Sequence, residues 1–331
     1  MDEKIDFVVT YLDSTDSVWK MEKEKYSGKK SSEELNGEER YRNLDTFKYW
    51  LRGVDKFAPW VNSIKIVTYG HLPEYLNINH PKIEIIKHED YISKEFLPTF
   101  NSSALEMNLD KIPDISENFV YFNDDMFLTS KTIPTDFFKL GKARLQNLVM
   151  PIQATQKFNN VLFNNILVLN ENILPQKIIS WKMLSLKNGL FAVLVNLYQI
   201  PLLLFFKRFI GFLPDHLPYA VTKTAYSKVR KIADKEFLET SSSKFRGNDN
   251  ITIWLIQDYL RATNEYAPRN SFKFGKFVSI APEINYSQLL NSKFKVVCIN
   301  DGQPVSNFED EKARLEKAFE NKFPEKSSFE I

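Results

Sequence analysis

Four short apolar runs constrain the fold of this chain more than any other feature. They are Ile5–Leu12, Ile64–Thr68, Ile83–Lys87 and Phe119–Asn123. Each is nearly continuous in apolar residues instead of alternating, which is the pattern of a strand covered on both faces in a parallel sheet. Helical patterns lie between them. Leu44, Phe47, Leu51 and Val54 share one helical face in a segment halted near Pro59, and Ser103 with Glu106 forms a capping-box pattern ahead of another helix. Strands alternating with helices predict an α/β fold with a doubly wound, mostly parallel, Rossmann-like sheet.

Further along, Asn250–Thr263 reads as a helix with Ile253, Ile256 and Leu260 on one face and Asn248 or Asp249 near its N-cap. Phe294–Asn300 reads as another strand, and Ser306 with Glu309 as a capping box before a closing helix that runs to Phe323. Residues 14–40 are polar, suited to a loop or short helix over a site. The division expected is 1–145, a helical insertion at 146–210, and 211–331 completing the same catalytic unit.

In an open α/β sheet the crevice lies outside the carboxyl ends of the strands. The residues after the four strands are polar: Asp13, Tyr69-Gly70-His71, His88-Glu89-Asp90 and Asn123-Asp124-Asp125. The last group is the sharpest signal, because adjacent carboxylates repel and burying either one unpaired is costly. Two readings are open for Asp124 and Asp125. They form part of a Mg²⁺ or Mn²⁺ site, which takes one or two carboxylates together with substrate phosphates, or they simply occupy a turn or helix cap.

Other candidates are weaker individually. His216 lies in PDHLPY (214–219), a stiff segment in which an imidazole could remove a proton from a hydroxyl or merely pack on Tyr219. Its neighbour Asp215 would point to the opposite face of an extended chain. Arg42, where a helix begins, and Arg246, in Arg246-Gly247-Asn248-Asp249, could each clamp a diphosphate or be solvated surface charges. Asn101, Asp249, Asn300 and Asp301 stand at element ends, suited to sugar hydroxyls or to capping. GxxxxGK[ST], GxGxxG after a strand, HExxH, CxxC and GxSxG motifs are all absent, which removes P-loop kinases, classical dinucleotide oxidoreductases and zincins, and serine hydrolases with this signature.

Composition narrows the setting. With 44 basic and 42 acidic residues the net charge is +2, giving no global signature of nucleic-acid binding. Cys298 is the single cysteine, so an internal disulfide is excluded and a reducing compartment fits. The start MDEKIDFVVTYL lacks the features of a signal peptide, and the cytoplasm is the expected location. LFAVLVNLYQIPLLLFF (190–206) complicates this, with Lys207-Arg208 behind it and Lys177, Lys182 and Lys187 before it. It fits a helix lying in a membrane interface, a buried helix pair or a dimer contact; a transmembrane span is the weaker reading.

Several stretches taken together resemble the conserved regions of the Stealth family. IDFVVTYLDSTDSVW (5–19), RYRNLDTFKYWLRGVDKFAPWVNSIKIVTYG (40–70) and LPTFNSSALEMNLDKIP through FVYFNDDMFL (97–128) resemble the first two regions. PDHLPYAVTK (214–223) with FRGNDN (245–250), and KVVCINDG through FPEKSSFE (295–330), resemble the third and fourth. The resemblance implies transfer of a hexose-1-phosphate or N-acetylhexosamine-1-phosphate from a UDP-sugar to an acceptor sugar hydroxyl, with release of UMP. It also implies a sheet related to that of nucleotide-sugar glycosyltransferases, a divalent metal at Asp124 and Asp125, and a nucleotide-sugar-binding role for 1–145.

Carried over by position, the family's motifs fall on Arg42, Asn101, Asn123, Asp124, Asp125, His216, Arg246, Asn300 and Asp301. His216, Asp125, Arg42 and Arg246 are then the catalytic candidates, with Asp13, Asn101, Asn123, Asp249, Asn300 and Asp301 contacting substrate. One departure stands at Arg40-Tyr41-Arg42-Asn43, where the family often has an acidic residue in the last place. The short chain points to the compact bacterial type, and so to a polysaccharide or lipid-linked oligosaccharide acceptor at the inner membrane face. A metal-dependent glycosyltransferase releasing UDP is the alternative.

Overall fold

The computed structural model describes residues 4–27, 44–153, 155–301 and 307–331. Its strands are β1 (Ile5–Tyr11), β2 (Ile64–Thr68), β3 (Ile83–Lys87), β4 (Asn118–Phe122), β5 (Met126–Leu128), β6 (Phe138–Lys139), β7 (Lys142–Leu145), β8 (Tyr219–Thr222), β9 (Ala267–Pro268), β10 (Gly275–Ser279) and β11 (Val296–Asn300). The principal helices are α1 (Ser17–Tyr26), α2 (Phe47–Phe57), α3 (Ser102–Glu106), α4 (Asn159–Asn172), α5 (Leu190–Phe206), α6 (Lys223–Ile232), α7 (Asp234–Ser242), α8 (Trp254–Ala262) and α9 (Phe308–Lys322). Among the described residues, no helix is long and apolar enough to cross a membrane.

The main sheet has the order β3-β2-β1-β4-β8. The first four strands are parallel, as their continuous apolar runs predict, and β8 joins antiparallel at one edge. Every residue of β4 is buried, because both faces are covered. On one face Phe122 meets Trp50 of α2 edge-on at 5.5 Å; on the other Phe119 stacks on Tyr226 of α6 at 5.9 Å. Two smaller sheets, β10-β11-β5 and β6-β7-β9, extend the core. The chain therefore leaves the main sheet after β4, turns, and enters the second sheet as β5. Residues 123–125 are that turn, closed by the Met126 amide on the Asn123 carbonyl at 3.2 Å.

Helix starts differ from the sequence reading. The α3 cap is Asn101, whose side chain accepts the Ser103 amide, and Glu106 does not complete a capping box with Ser103. Glu106 instead reaches across to accept the Ile253 amide at 3.0 Å, at the start of α8. That helix begins at Trp254, so neither Asn248 nor Asp249 caps it. For α9 the cap is Asn307, accepting from Asp310, and Ser306 lies outside the described residues. At α3 the adjacent Asn101 and a tertiary partner for Glu106 outcompete the local Ser/Glu pattern.

The C-terminal segment is clamped to α2 by a buried ion pair. Arg52 donates to both carboxylate oxygens of Glu330, at 2.9–3.2 Å, and to the Phe323 carbonyl at 2.7 Å. Glu330 also accepts the Ser327 amide and hydroxyl. Burial pushes the Glu330 carboxyl upward, but Arg52 and Ser327 outweigh it and hold it below the ordinary 4.5. Its stabilising contribution is thus present above that value and is lost as pH falls through the lowered one. Glu330→Gln leaves Arg52 charged and unpaired, and should cost about 3 kcal/mol in urea unfolding near pH ~7. The difference from the parent protein should shrink as pH falls below ~4.

Candidate active site

A cleft of about 290 Å³ opens at the carboxyl ends of the parallel strands. Thr10, Tyr11 and Leu12 line it after β1, Tyr69 after β2, His88 after β3 and Asn123-Asp124-Asp125 after β4. Asn300, which ends β11, and the following Asp301 contribute from the second sheet, and His216, Arg246 and Trp254 also line the cleft. The site therefore stands where the two sheets meet, at the turn that carries the carboxylate pair.

The two carboxylates are not equivalent. Burial raises Asp125, but this is outweighed by hydrogen bonding and charge from His216, then by Asn300 and Cys298, so its carboxyl lies below the ordinary range. The Asn300 amide donates to Asp125 Oδ2 at 2.8 Å, and His216 Nε2 lies 3.5 Å from the same oxygen. Asp125 Oδ1 is buried without a hydrogen-bond partner. Asp124 is open to the cleft yet crowded by protein; desolvation, followed by the adjoining Asp125 charge, pushes its carboxyl up to about 7. The two residues form a turn, and the turn presents them to the cleft.

His216 is held on several sides. Its Nδ1 lies 3.0 Å from the Tyr219 hydroxyl and its Nε2 3.5 Å from the Asn123 amide nitrogen. Trp254 and Phe277 pack against the ring. Asp215 points the other way, as expected of an extended segment, and is bound by Arg261 at 3.1 Å and the Ser271 hydroxyl at 2.5 Å. Asp125, His216 and Cys298 bring one donor atom each within 4.8 Å of one another. Asp124 is not part of that cluster. Burial, then the Asp125 charge, pushes the Cys298 thiol well above its ordinary value, so it stays protonated and donates to Asp125.

The other candidates divide. Arg246 lines the cleft and donates to the Ser102 hydroxyl at 2.6 Å. Arg42 lies outside the described residues. Asn101 is not among the residues that line the cleft, although its neighbours Phe100 and Ser102 are. It is buried, and its amide is committed to Ser103, the Ser243 carbonyl and Asn250. Asp249 is likewise outside the cleft, exposed on the loop before α8 and near Asn250. Asp13 does not line the cleft, although the preceding Leu12 does; its carboxylate accepts from the Thr15 amide and hydroxyl while its own amide donates to His71 Nε2 at 2.7 Å.

Sequence reasoning passed over Glu106, Cys298 and the aromatic wall of Tyr11, Trp19, Phe47 and Phe100. Glu106 is buried under the cleft; burial raises its carboxyl, partly offset by the Ile253 amide and by Arg246. The one sequence signal for these residues was their place at or near strand and helix ends.

The pattern described as Stealth protein CR2, conserved region 2, matches residues 40–146. The capsular polysaccharide phosphotransferase WcwK of Streptococcus pneumoniae is 38% identical over 334 residues, covering 100% of both chains. The receptor polysaccharide phosphotransferase WefC of Streptococcus gordonii is 37% identical, again over 100% of both. The exopolysaccharide phosphotransferase cps2G of Lactiplantibacillus plantarum is 36% identical, over 98% of this chain and 96% of its own. Among solved structures, the galactosyltransferase LgtC in complex with donor and acceptor sugar analogues aligns at a TM-score of 0.40 and 10% identity, over 96% of this chain and 95% of its own. With full-length relatives at this identity, the chain belongs to the Stealth family and is a polysaccharide phosphotransferase.

Proposed function

We propose that the enzyme transfers a sugar-1-phosphate from a UDP-hexose or UDP-N-acetylhexosamine to a sugar hydroxyl of a polysaccharide or lipid-linked oligosaccharide. The products are a phosphodiester and UMP. The observation that carries this reading is His216 Nε2 lying 3.5 Å from both Asp125 and Asn123, at the cleft end of the strands. In the imidazolium, Nε2–H faces the Asp125 carboxylate; the neutral ring with its proton on Nδ1, facing Tyr219, meets the Asn123 amide with its Nε2 lone pair. In that state Nε2 is the basic nitrogen.

The acceptor hydroxyl gives its proton to His216 Nε2 as its oxygen bonds to the β-phosphorus, and the bond from that phosphorus to the UMP oxygen breaks. Asp125 stabilises the imidazolium so formed. Arg246, which lines the cleft, would hold the transferring phosphoryl group, with Arg42 as its expected second clamp. Asn123, Asn300 and Asp301 are placed to orient sugar hydroxyls. Residues from 1–145 and 211–331 thus make one catalytic unit. Its cytoplasmic placement is in keeping with a lone, buried thiol.

The residues suit Mg²⁺ or Mn²⁺. Asp125 Oδ1 is a buried acceptor without a hydrogen-bond partner, and burial and the adjoining Asp125 charge disfavour the charged form of Asp124. Asp124 and Asp125 would hold the ion; Cys298, protonated, would not. When bound, it supplies neutralisation of phosphoryl charge and of the leaving oxygen.

Incubation with a panel of UDP-sugars, Mg²⁺ or Mn²⁺ and a polysaccharide acceptor should yield UMP and a phosphodiester-linked product, read by chromatography and phosphorus NMR. Release of UDP would overturn the reading in favour of glycosyl transfer. His216→Ala should lower turnover by about 10²–10⁴-fold while leaving cation binding intact. Asp124 is raised in the folded protein, so the unfolded chain loses its proton first. The stability this proton confers is present below pH ~4 and is lost as pH rises towards about 7. In chelator-treated protein at pH ~8, Asp124→Asn should therefore raise Tm. Added Mn²⁺ should raise the Tm of the parent protein and leave that of the variant unchanged.

A further inference from the structure

Helix α5 is inverted in polarity for a helix facing water. Its buried side includes Asn196 and Gln199 beside Ala192, Val193 and Leu203. The Asn196 amide donates to the carbonyls of Asn147 and Met183 and accepts the Val149 amide, each at 2.9 Å. Its outer side carries Phe191, Leu194, Leu197, Tyr198, Phe205 and Phe206, which are 48–79% exposed. A helix at a protein–water boundary ordinarily has the opposite arrangement. The apolar surface continues onto the preceding segment, where Trp181 and Leu186 are each 73% exposed. Contiguous exposed apolar surface of this kind marks an interaction site.

Charge identifies what covers it. From Asn172 to Pro214 the chain has no Asp or Glu, although it has 42 of them in 331 residues, and it has five bases. Lys182 is committed to the carbonyls of Asn264 and Tyr266. Lys177, Lys187, Lys207 and Arg208 are exposed, two before the helix and two after it. A second copy would bring this same set of bases against itself in a two-fold contact, with no carboxylate in the segment to answer them. An anionic bilayer answers both halves of the surface: headgroups take the bases and the acyl boundary takes the side chains between. The buried polar side and internal Pro201 are compatible with a helix lying flat on a membrane.

We propose that the outer face of α5, with Trp181, Leu186 and the four exposed bases, docks the enzyme on an anionic lipid surface. This docking is independent of which bond the active site breaks, and it would hold the enzyme beside a lipid-linked acceptor. The test is co-sedimentation of the full chain with vesicles of phosphatidylcholine alone, or with about 30% phosphatidylglycerol added. Binding should require the anionic lipid and weaken as NaCl rises from ~0.1 M to ~1 M. Leu197→Glu/Phe205→Glu should abolish it, and Lys187→Glu/Arg208→Glu should weaken it by about tenfold or more. Both variants should keep the circular dichroism of the parent and its turnover with a soluble acceptor. Equal binding to both vesicle types, or none to the anionic ones, would overturn the proposal. So would a concentration-dependent dimer, broken by the same substitutions, in protein that ignores vesicles. UDP in place of UMP would instead count against the reaction and leave the vesicle result standing.

Discussion

Two carboxylates on consecutive residues, at the end of a strand buried on both faces, are the constraint around which the structure is arranged. Unit charges about 4 Å apart near a protein surface repel by about 4 kcal/mol, and desolvation adds to that. Residues 123–125 have little freedom to relieve the repulsion by moving. β4 is sealed between α2 and α6, β5 is paired with β11, and the turn between them is closed by a backbone hydrogen bond. Relief comes from neighbours. Asn300, His216 and the Cys298 thiol converge on Asp125 and leave Asp124 to bear the cost.

That convergence depends on the segment carrying His216 being anchored from behind. Asp215 and His216 face opposite ways, so the segment is gripped on one side and functional on the other. Asp215 binds Arg261, which is itself fully buried and held by Asp258 and the Gln146 carbonyl. Leu217 packs so closely on Gly275 that a Cβ there would lie 2.6 Å from its methyl group. Tyr219 enters β8 and stacks beside Tyr121 of β4. The imidazole is therefore fixed relative to the carboxylate turn through the main sheet itself, the rigidity that a positioned base requires.

The parallel core was legible because its cause is local. A strand covered on both faces is nearly continuous in apolar residues, and β1 to β4 are interrupted inside only by Asp6, Thr10, Lys65 and Glu84, so their limits lie within a residue of those read from the sequence. Of the polar residues after them, Tyr69, His88 and Asn123-Asp124-Asp125 line the cleft. Caps were not legible. Glu106 has the spacing of a capping box but serves a helix 147 positions away, and no local pattern records such a partner. Nor does any local pattern record that the Asn101 amide, at an element end, is consumed inside the protein. Cys298 and the aromatic wall became part of the site only through the pairing of β5 with β11 and the packing of α1 and α2 over the strand ends. In α5 the sequence showed apolar content but not direction, because a uniformly apolar helix gives period analysis little to grip.

The unequal treatment of the two aspartates also bears on the order of events in the proposed reaction. A nucleotide diphosphate carries its own negative charge, so without a cation the cleft places like charges together at Asp124 and the phosphates. Protonating Asp124 would relieve the first half of that conflict, but a neutral carboxyl is a poor ligand for a hard cation. Asp124 and Asp125 would hold a divalent ion, whose charge would offset both the carboxylate pair and the diphosphate. On this account cation and donor binding reinforce each other, each removing part of the penalty the other would meet alone. The carboxylate that the fold leaves unsatisfied is the one through which that coupling would pass.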